Sequence, residues 1–518
     1  MSYPDTPDAT DTSLHQTTDP AKPNWTRPEV IAAADDLQLI ARLVAGTRTM
    51  WAHAREYIRK WKDESAELWE VRARIETVYA ALERVLSAAI GMLFAKPPTV
   101  TWNQAETAFA DPWANIDSRG TAAPVFIKRF ADRALADGYA ILLVDHPPPV
   151  AGATGLDQQT MSLRPTWAIY PRCMLYSWRE DTIGNRNVPS QIVLYECAEV
   201  DDQVFGTATR HRFRVLRLVP SGGTYVATWT LYERQARGLG EVYVVIGSGI
   251  YTNKQGQTRD TLPFAVAYTG RTDAAFTARP PLLGVAYASL AYWQKATNLS
   301  FYEDWICFPQ PVVKGELAID PATGKPAALK IGPGTGVQVS ADGDYEIVEL
   351  SGTALEQLRK GLDEKLFRIA STALSFLLPQ TRAAETAEAK RLDATAENST
   401  LATAAQGIED AVNEAVIITG WYLGIEPAAC PVVQINRDFD STALDSNVMN
   451  AYAKLVEAGF PKSVVLKALQ TGGRIPDDAD LEELELEWMA DEAAKRQEAA
   501  DRAAALGAGT GGPRMEAA

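Results

Sequence analysis

Cysteine and histidine are scarce, at four of each in 518 residues. Cys173, Cys197, Cys307 and Cys430 lie far apart with no C-x-x-C pair, which argues against a zinc site or a disulfide framework and suits a reducing cytosol. No basic-then-apolar leader follows Met1, and no apolar run approaches the length that spans a bilayer. The expectation is a soluble chain, assembled in the cytoplasm, without a membrane partner. Positive charge is short as well: 50 Lys and Arg against 66 Asp and Glu leave a net −16, which resists generic nucleic-acid binding. About half of that excess sits between Asp477 and Arg502, where eleven acids face three bases. Such a surface excludes tight DNA binding. It does not exclude a conduit through which DNA slides.

What is present is ordinary for a globular chain: 46% apolar and 22% charged residues, with length enough for two or three domains. Residues 1–28, mostly Asp, Thr and Pro, lack the aliphatics to offset ordering entropy and read as a flexible arm. Pro28 suits a first helical turn. Residues 66–95 set Leu68, Val71, Ile75, Val78, Leu82, Val85 and Ala89 on one helical stripe, ended by Lys96-Pro97-Pro98. A helix over Val125–Ala136 meets Asp137-Gly138, then Tyr139–Val144 reads as a short apolar strand. Residues 165–270 are β-rich, with alternation through Tyr225, Ala227, Trp229 and Leu231. The first 280 residues thus form an α+β body.

The remainder is organised around residues 281–421. Residues 282–307 read as helix from their Ala and Leu content. Thr353-Ala-Leu-Glu356 is a capping box. After it Leu355, Leu358, Leu362, Leu366, Ile369 and Ala373 make a continuous apolar face. Between these helices lie short strand candidates at 312–314, 336–339 and 345–350. A third helix over roughly Ala384–Tyr422 carries Gly407 as a candidate kink. Residues 430–437 read as a returning strand, and helical segments at 444–458, 461–470 and 479–505 precede a Gly-rich tail.

No constellation assembles a metal, cofactor or nucleophile site. Gly332-Pro333-Gly334-Thr-Gly336 lacks the Lys-Ser/Thr of a phosphate loop, and Gly247-Ser-Gly249 reads as a turn. Asp145-His146 has no further ligand at useful spacing and reads as an exposed strand terminus. Glu303-Asp304 and Asp363-Glu364 point to different sides of their helices. They suit solubility or pairing between subunits. The basic run Arg210–Arg217 reads as a solvated strand face rather than a phosphate contact. The chain is read as non-enzymatic, with no cofactor.

The order of several stretches resembles the portal proteins of tailed bacteriophages, in a branch catalogued as a domain of unknown function. They are Tyr57-Ile58 with VRARIETVYAALERVLSAAIGMLFAKPP (71–98), DGYAILLVDHPP (137–148), RPTWAIYPRCMLYSWRED (164–181) and LPFAVAYTGR (262–271). PPLLGVAYASLAYWQKATNLSFYEDWICFPQPVVKG (280–315), IGPGTGVQVSADGDYEIVELSGTALE (331–356) and ETAEAKR (385–391) complete the set. Arg59-Lys60-Trp61 departs from the branch, standing where a proline-containing segment is expected.

The resemblance implies a portal fold: wing (29–280), stem helices (281–307 and 351–374), clip (308–350), tunnel loop (375–386), long kinked helix and return (387–439), helical crown (440–505) and flexible tail (506–518). It implies a ring, usually of twelve subunits, at one vertex of the virion capsid. Double-stranded DNA would pass through its channel during packaging and ejection without sequence readout. The implied partners are the major capsid protein, the terminase large subunit as packaging motor and a head-to-tail adaptor. Carried over by position, Gln380, Thr381 and Arg382 face DNA, and Asp320, Thr323 and Lys325 form the clip tip. Leu355, Leu358, Leu362, Leu366 and Ile369 pack the stem. The competing readings are another virion ring or adaptor protein, and a carboxylate-based hydrolase.

Overall fold

The structure is a computed structural model. It describes residues 16–147, 163–202, 205–237, 240–307, 310–314, 344–348, 353–377 and 387–436, together with Leu486. The chain divides into Met1–Arg437 and Asp438–Ala518. The predicted crown and tail in the second unit lie, Leu486 apart, outside the described residues.

The first unit opens with α1 (Pro28–Ala45), α2 (Thr47–Ala52), α3 (Ala54–Tyr57), α4 (Ala66–Ala73) and α5 (Ala81–Leu93). Proline stands in the first turn of α1, where its missing N–H costs nothing. The stripe predicted through 66–95 is broken over residues 74–80, and Val71 is exposed. Tertiary bonds replace the helical ones there. The carbonyl of Glu76 accepts the indole N–H of both Trp51 (3.0 Å) and Trp293 (3.1 Å), while the Val78 N–H reaches Thr47 Oγ1 (3.2 Å). Within the predicted flexible arm, residues 16–27 make tertiary contacts. Thr17 bridges Trp25, Asn24 and Thr26 are buried, and the Arg27 guanidinium lies 4.3 Å over the Trp178 ring. One buried aromatic and a few backbone bonds order a stretch whose composition offers no aliphatic core.

Next come β1 (Thr99–Thr101), α6 (Glu106–Ala114), α7 (Ala123–Asp137), β2 (Tyr139–Asp145) and β3 (Thr166–Pro171). Gly138 ends α7 in the left-handed region, φ 86°, where glycine carries no Cβ penalty. A meander follows: β4 (Leu175–Ile183), β5 (Arg186–Asp202), β6 (Gly206–Ser221), β7 (Thr224–Arg237) and β8 (Gly240–Ile250). These five strands form one antiparallel sheet in sequence order, as turn chemistry such as Ser221-Gly222-Gly223 favours. Gly247 and Gly249 lie within β8, not in a turn. An added Cβ at Gly249 would stand 2.9 Å from the Trp229 indole, so the small residues make room for a ring on the neighbouring strand. Tyr176, Val193, Tyr195, Phe213 and Val215 form the core of this sheet.

The chain continues through β9 (Phe264–Tyr268), β10 (Arg271–Ala274), β11 (Thr277–Arg279), α8 (Leu283–Cys307), β12 (Gln310–Lys314), β13 (Asp344–Val348), α9 (Thr353–Leu377), α10 (Ala387–Leu423) and β14 (Val432–Gln434). A second sheet has the order β3-β2-β9. Its central strand β2 is buried at every residue, with α7 and α10 packed against it, which explains its unbroken apolar run. At Gly407 α10 lies close on β9: an added Cβ would stand 2.2 Å from the Tyr268 carbonyl oxygen. Close approach to β9 gives this glycine its role. β14 returns to pair with β1. The architecture is α+β.

Candidate functional site

The two helices singled out in the sequence, α8 and α9, run antiparallel. Glu303 near the end of α8 pairs with Arg359 near the start of α9 at 2.8 Å, and Gly284 at the start of α8 lies beside Thr372 on α9. At the far end, β12 and β13 form an antiparallel pair from Gln310↔Val348 to Lys314↔Asp344. Helix α9 begins at Thr353, within a residue of the capping-box prediction.

Helix α8 has apolar residues all round because its own chain surrounds much of it. Val285, Ala286, Trp293, Ala296, Leu299 and Phe301 are buried, and α1, α4, α5 and α9 pack against the helix. Two-faced apolarity in α8 therefore does not require a neighbouring subunit. Residues 57–79 form a collar around it. Gln294 Nε2 donates to the Tyr57 carbonyl (2.8 Å), and Ser300 Oγ to Glu76 Oε2 (2.5 Å). Arg72, 1% exposed, donates from Nε and Nη2 to the Glu64 carboxylate at 2.7 and 2.8 Å, from Nη2 also to the Arg59 carbonyl, and from Nη1 to Asn298 Oδ1 on α8 at 2.8 Å. Its guanidinium lies 3.9 Å over Trp61, whose ring meets Phe301 edge-on and stacks on Tyr302. The departure at Arg59-Lys60-Trp61 is thus part of the clasp. The hydrogen bonds from Arg72 hold the Glu64 carboxyl below the ordinary carboxylate range.

Of the stem residues named from sequence, Leu355, Leu358, Leu362 and Leu366 are half-buried and Ile369 is 2% exposed. The stripe belongs to a helix packed on α8, α5 and α10. Phe367, on its other side, is 74% exposed and Tyr287 on α8 is 50% exposed. Gln380, Thr381, Arg382, Asp320, Thr323 and Lys325 lie outside the described residues, as does Gly332–Gly336.

The structure brings together a group that neither reading of Arg210–Arg217 anticipated. Arg214 is 2% exposed. Its Nη1 donates to Asp145 Oδ2 at 2.9 Å and its Nε to Glu196, which also accepts the Tyr170 hydroxyl. Burial works against the guanidinium charge, but Glu196 and Asp145 outweigh it and hold Arg214 firmly ionised. The cluster ties β2 and β3 of one sheet to β5 and β6 of the other. Asp145 is therefore a buried ion-pair partner, not an exposed terminus, and His146 stacks on Tyr422 at 5.5 Å. Strand alternation hid this because Phe213, Arg214, Val215 and Leu216 are all buried, a strand covered on both faces. One legible signal was an acid closing the run YAILLV.

The carboxylates of Asp145 and Glu303 each hold an arginine. Among the described residues, Cys173, Cys197 and Cys430 are not joined in disulfides. Among the described residues, no group of three or more His, Cys, Asp or Glu side chains is placed to hold a metal ion. None of their helices is long and apolar enough to cross a membrane.

A domain of unknown function, DUF4055, matches residues 281–423, the span from α8 to α10. No curated protein matches the chain. Among solved structures, the chain is similar to one in the virion of a native gene transfer agent particle, at 12% identity and TM-score 0.34, over 74% of this chain and 86% of that one. It is similar at 12% identity and TM-score 0.36 to a chain in the neck of the empty particle, computed with C6 symmetry, covering 74% and 87%. The third, at 11% identity and TM-score 0.35, is from the neck of the native particle, computed with C12 symmetry, covering 74% and 86%.

Proposed function

We propose that the chain is a portal protein: copies of it form a ring at one capsid vertex and line a channel for double-stranded DNA. The observation that carries this reading is the antiparallel pair α8–α9, joined to the β12–β13 pair at its far end. The body buries the beginning of α8 at Leu283, Val285 and Ala286, and the collar clasps it further along, at Gln294, Asn298 and Ser300. Phe367 and Tyr287 leave apolar surface uncovered on these helices. A heterologous ring covers such surface by presenting two different patches at each contact. The order of sequence stretches over residues 57–430 supports the same assignment.

In this function the protein performs no reaction. An acidic channel wall would repel phosphate, with Arg382 beside Gln380 and Thr381 as an isolated attractive point. Asp320, Thr323 and Lys325 would meet the packaging motor and later the tail adaptor, and the wing would meet the major capsid protein. Phe367→Glu tests the role of the exposed apolar surface. With Phe367 already 74% exposed, the variant should keep the melting temperature of the unassembled chain and lose ring mass in light scattering. Unchanged ring mass would remove this face from the interface.

A further inference from the structure

Among the described residues, no strand pairs with the outer edge of β3. The Val144 N–H bonds Pro263 on the β9 side of β2, and Trp167 N–H bonds Ile116 outside the sheet. The register Trp167↔Val144 and Ile169↔Leu142 then turns the backbone groups of Trp167 and Ile169 away from β2. Ile169 is also the residue where solvent reaches an otherwise buried strand. Trp167, Ala168, Ile169 and Tyr170 line one wall of a cleft of about 550 Å³. An edge that no described strand covers is a template for another extended segment.

The opposite wall selects the charge of that segment. Arg119, Lys128, Arg129 and Arg133 line the cleft against two acids, Asp117 and Asp132, in a chain whose net charge is −16. Lys128, Arg129 and Arg133 are exposed on α7. Arg129 and Arg133 stand at i and i+4, an arrangement that repels in an isolated helix. Among the described residues, Arg129 donates to the Thr121 hydroxyl at 3.5 Å, a long bond that leaves its charge without a carboxylate partner there.

We propose that this cleft is a strand-addition site and that its occupant is the segment 1–15 of this chain, which carries Asp5, Asp8 and Asp11 and no Lys or Arg. Gln16, where the described chain begins, lines an adjacent cleft of about 320 Å³ that shares Asp132 and Arg133 with the first. Fifteen residues reach about 50 Å when extended, ample for a strand the length of β3. Thr10 and Thr12, β-favouring residues two apart, fall on one face of a strand, and the aspartates match the bases of α7. Covalent attachment keeps the segment's local concentration high. The assignment does not depend on the ring.

Amide hydrogen exchange on the full chain, read at Ile169, tests it. Ile169 N–H should exchange at least about ten-fold more slowly in the wild type than in Asp5→Lys/Asp8→Lys/Asp11→Lys. Adding Lys128→Glu/Arg129→Glu to that variant should restore protection. Fast exchange in the wild type overturns the proposal, because nothing then covers the edge. Equal protection in wild type and triple-lysine variant also overturns it, assigning the cover to another element. If both lose protection on dilution, that element is a second copy.

Discussion

Gly407→Ala and Gly361→Ala form a matched pair whose outcomes should have opposite signs. Each replaces a glycine inside a long helix, and each gains about 1 kcal/mol from helix propensity. The difference lies in what the new methyl meets. At Gly361 the obstructing atom is Lys295 Nζ, 2.0 Å away, the end of a flexible side chain that swings aside. At Gly407 it is the Tyr268 carbonyl oxygen at 2.2 Å, with the carbonyl carbon at 3.2 Å. That oxygen belongs to β9 and has no rotamer to change, so α10 must lift by about an ångström from the sheet it covers. Overpacking of that kind costs roughly 1–3 kcal/mol or more, offsetting the propensity gain. Gly361→Ala should therefore raise stability by up to about 1 kcal/mol. Gly407→Ala should lower it by up to about 2 kcal/mol. Thermal unfolding of the two variants beside wild type at one pH reads the signs. A Gly407→Ala variant at least as stable as Gly361→Ala would refute the close docking of α10 and return Gly407 to a bending role.

Arg214→Met should cost roughly 3–5 kcal/mol, because Asp145 and Glu196 are left as uncompensated buried charges; urea unfolding should show Arg214→Met/Asp145→Asn/Glu196→Gln recovering most of it, and no recovery would mean that the guanidinium acts by packing alone. Asp137→Asn should stabilise the fold at neutral pH by about 1–3 kcal/mol. Burial beside Gly138 at the carboxyl end of α7 pushes the Asp137 carboxyl up to about 6, so its contribution to stability falls as pH rises from 3.8 through that value. The gain in unfolding midpoint should vanish below pH 4, and a pH-independent gain would contradict the account. Glu64 has the opposite sign. Its carboxyl is lowered by Arg72, so its contribution is present above about pH 4.5 and lost as pH falls through the lower folded value. Glu64→Gln should flatten that acid limb in circular dichroism, while an unchanged limb would show that the Arg72 clasp is not what titrates.

Much of the fold is legible in local pattern, and the exceptions share one physical cause. Helices α5, α7 and α9 announce themselves through three- and four-residue spacing, and β2 through an apolar run ended by proline. What pattern misses are the places where distant residues replace local bonds. The break after α4 exists because Trp51 and Trp293 both claim the Glu76 carbonyl, partners separated by 25 and 217 positions. Arg214 looks solvated until Asp145, 69 positions away, meets it. Gly247 and Gly249 look like turn residues because the Trp229 ring that explains them is on another strand. For the stem, sequence located the stripe Leu355–Ile369, yet periodicity cannot say which chain covers a face, and α8 proves to be wrapped largely by its own body.

The central claim is that copies of this chain close around a hole, and end-on electron micrographs of the purified protein test it most directly. The account predicts rotationally symmetric rings with a stain-filled centre, and a particle mass near 680 kDa if twelve chains of 56.4 kDa assemble (12 × 56.4). A monodisperse 56.4 kDa species at micromolar concentration, with no rings on the grid, would contradict it.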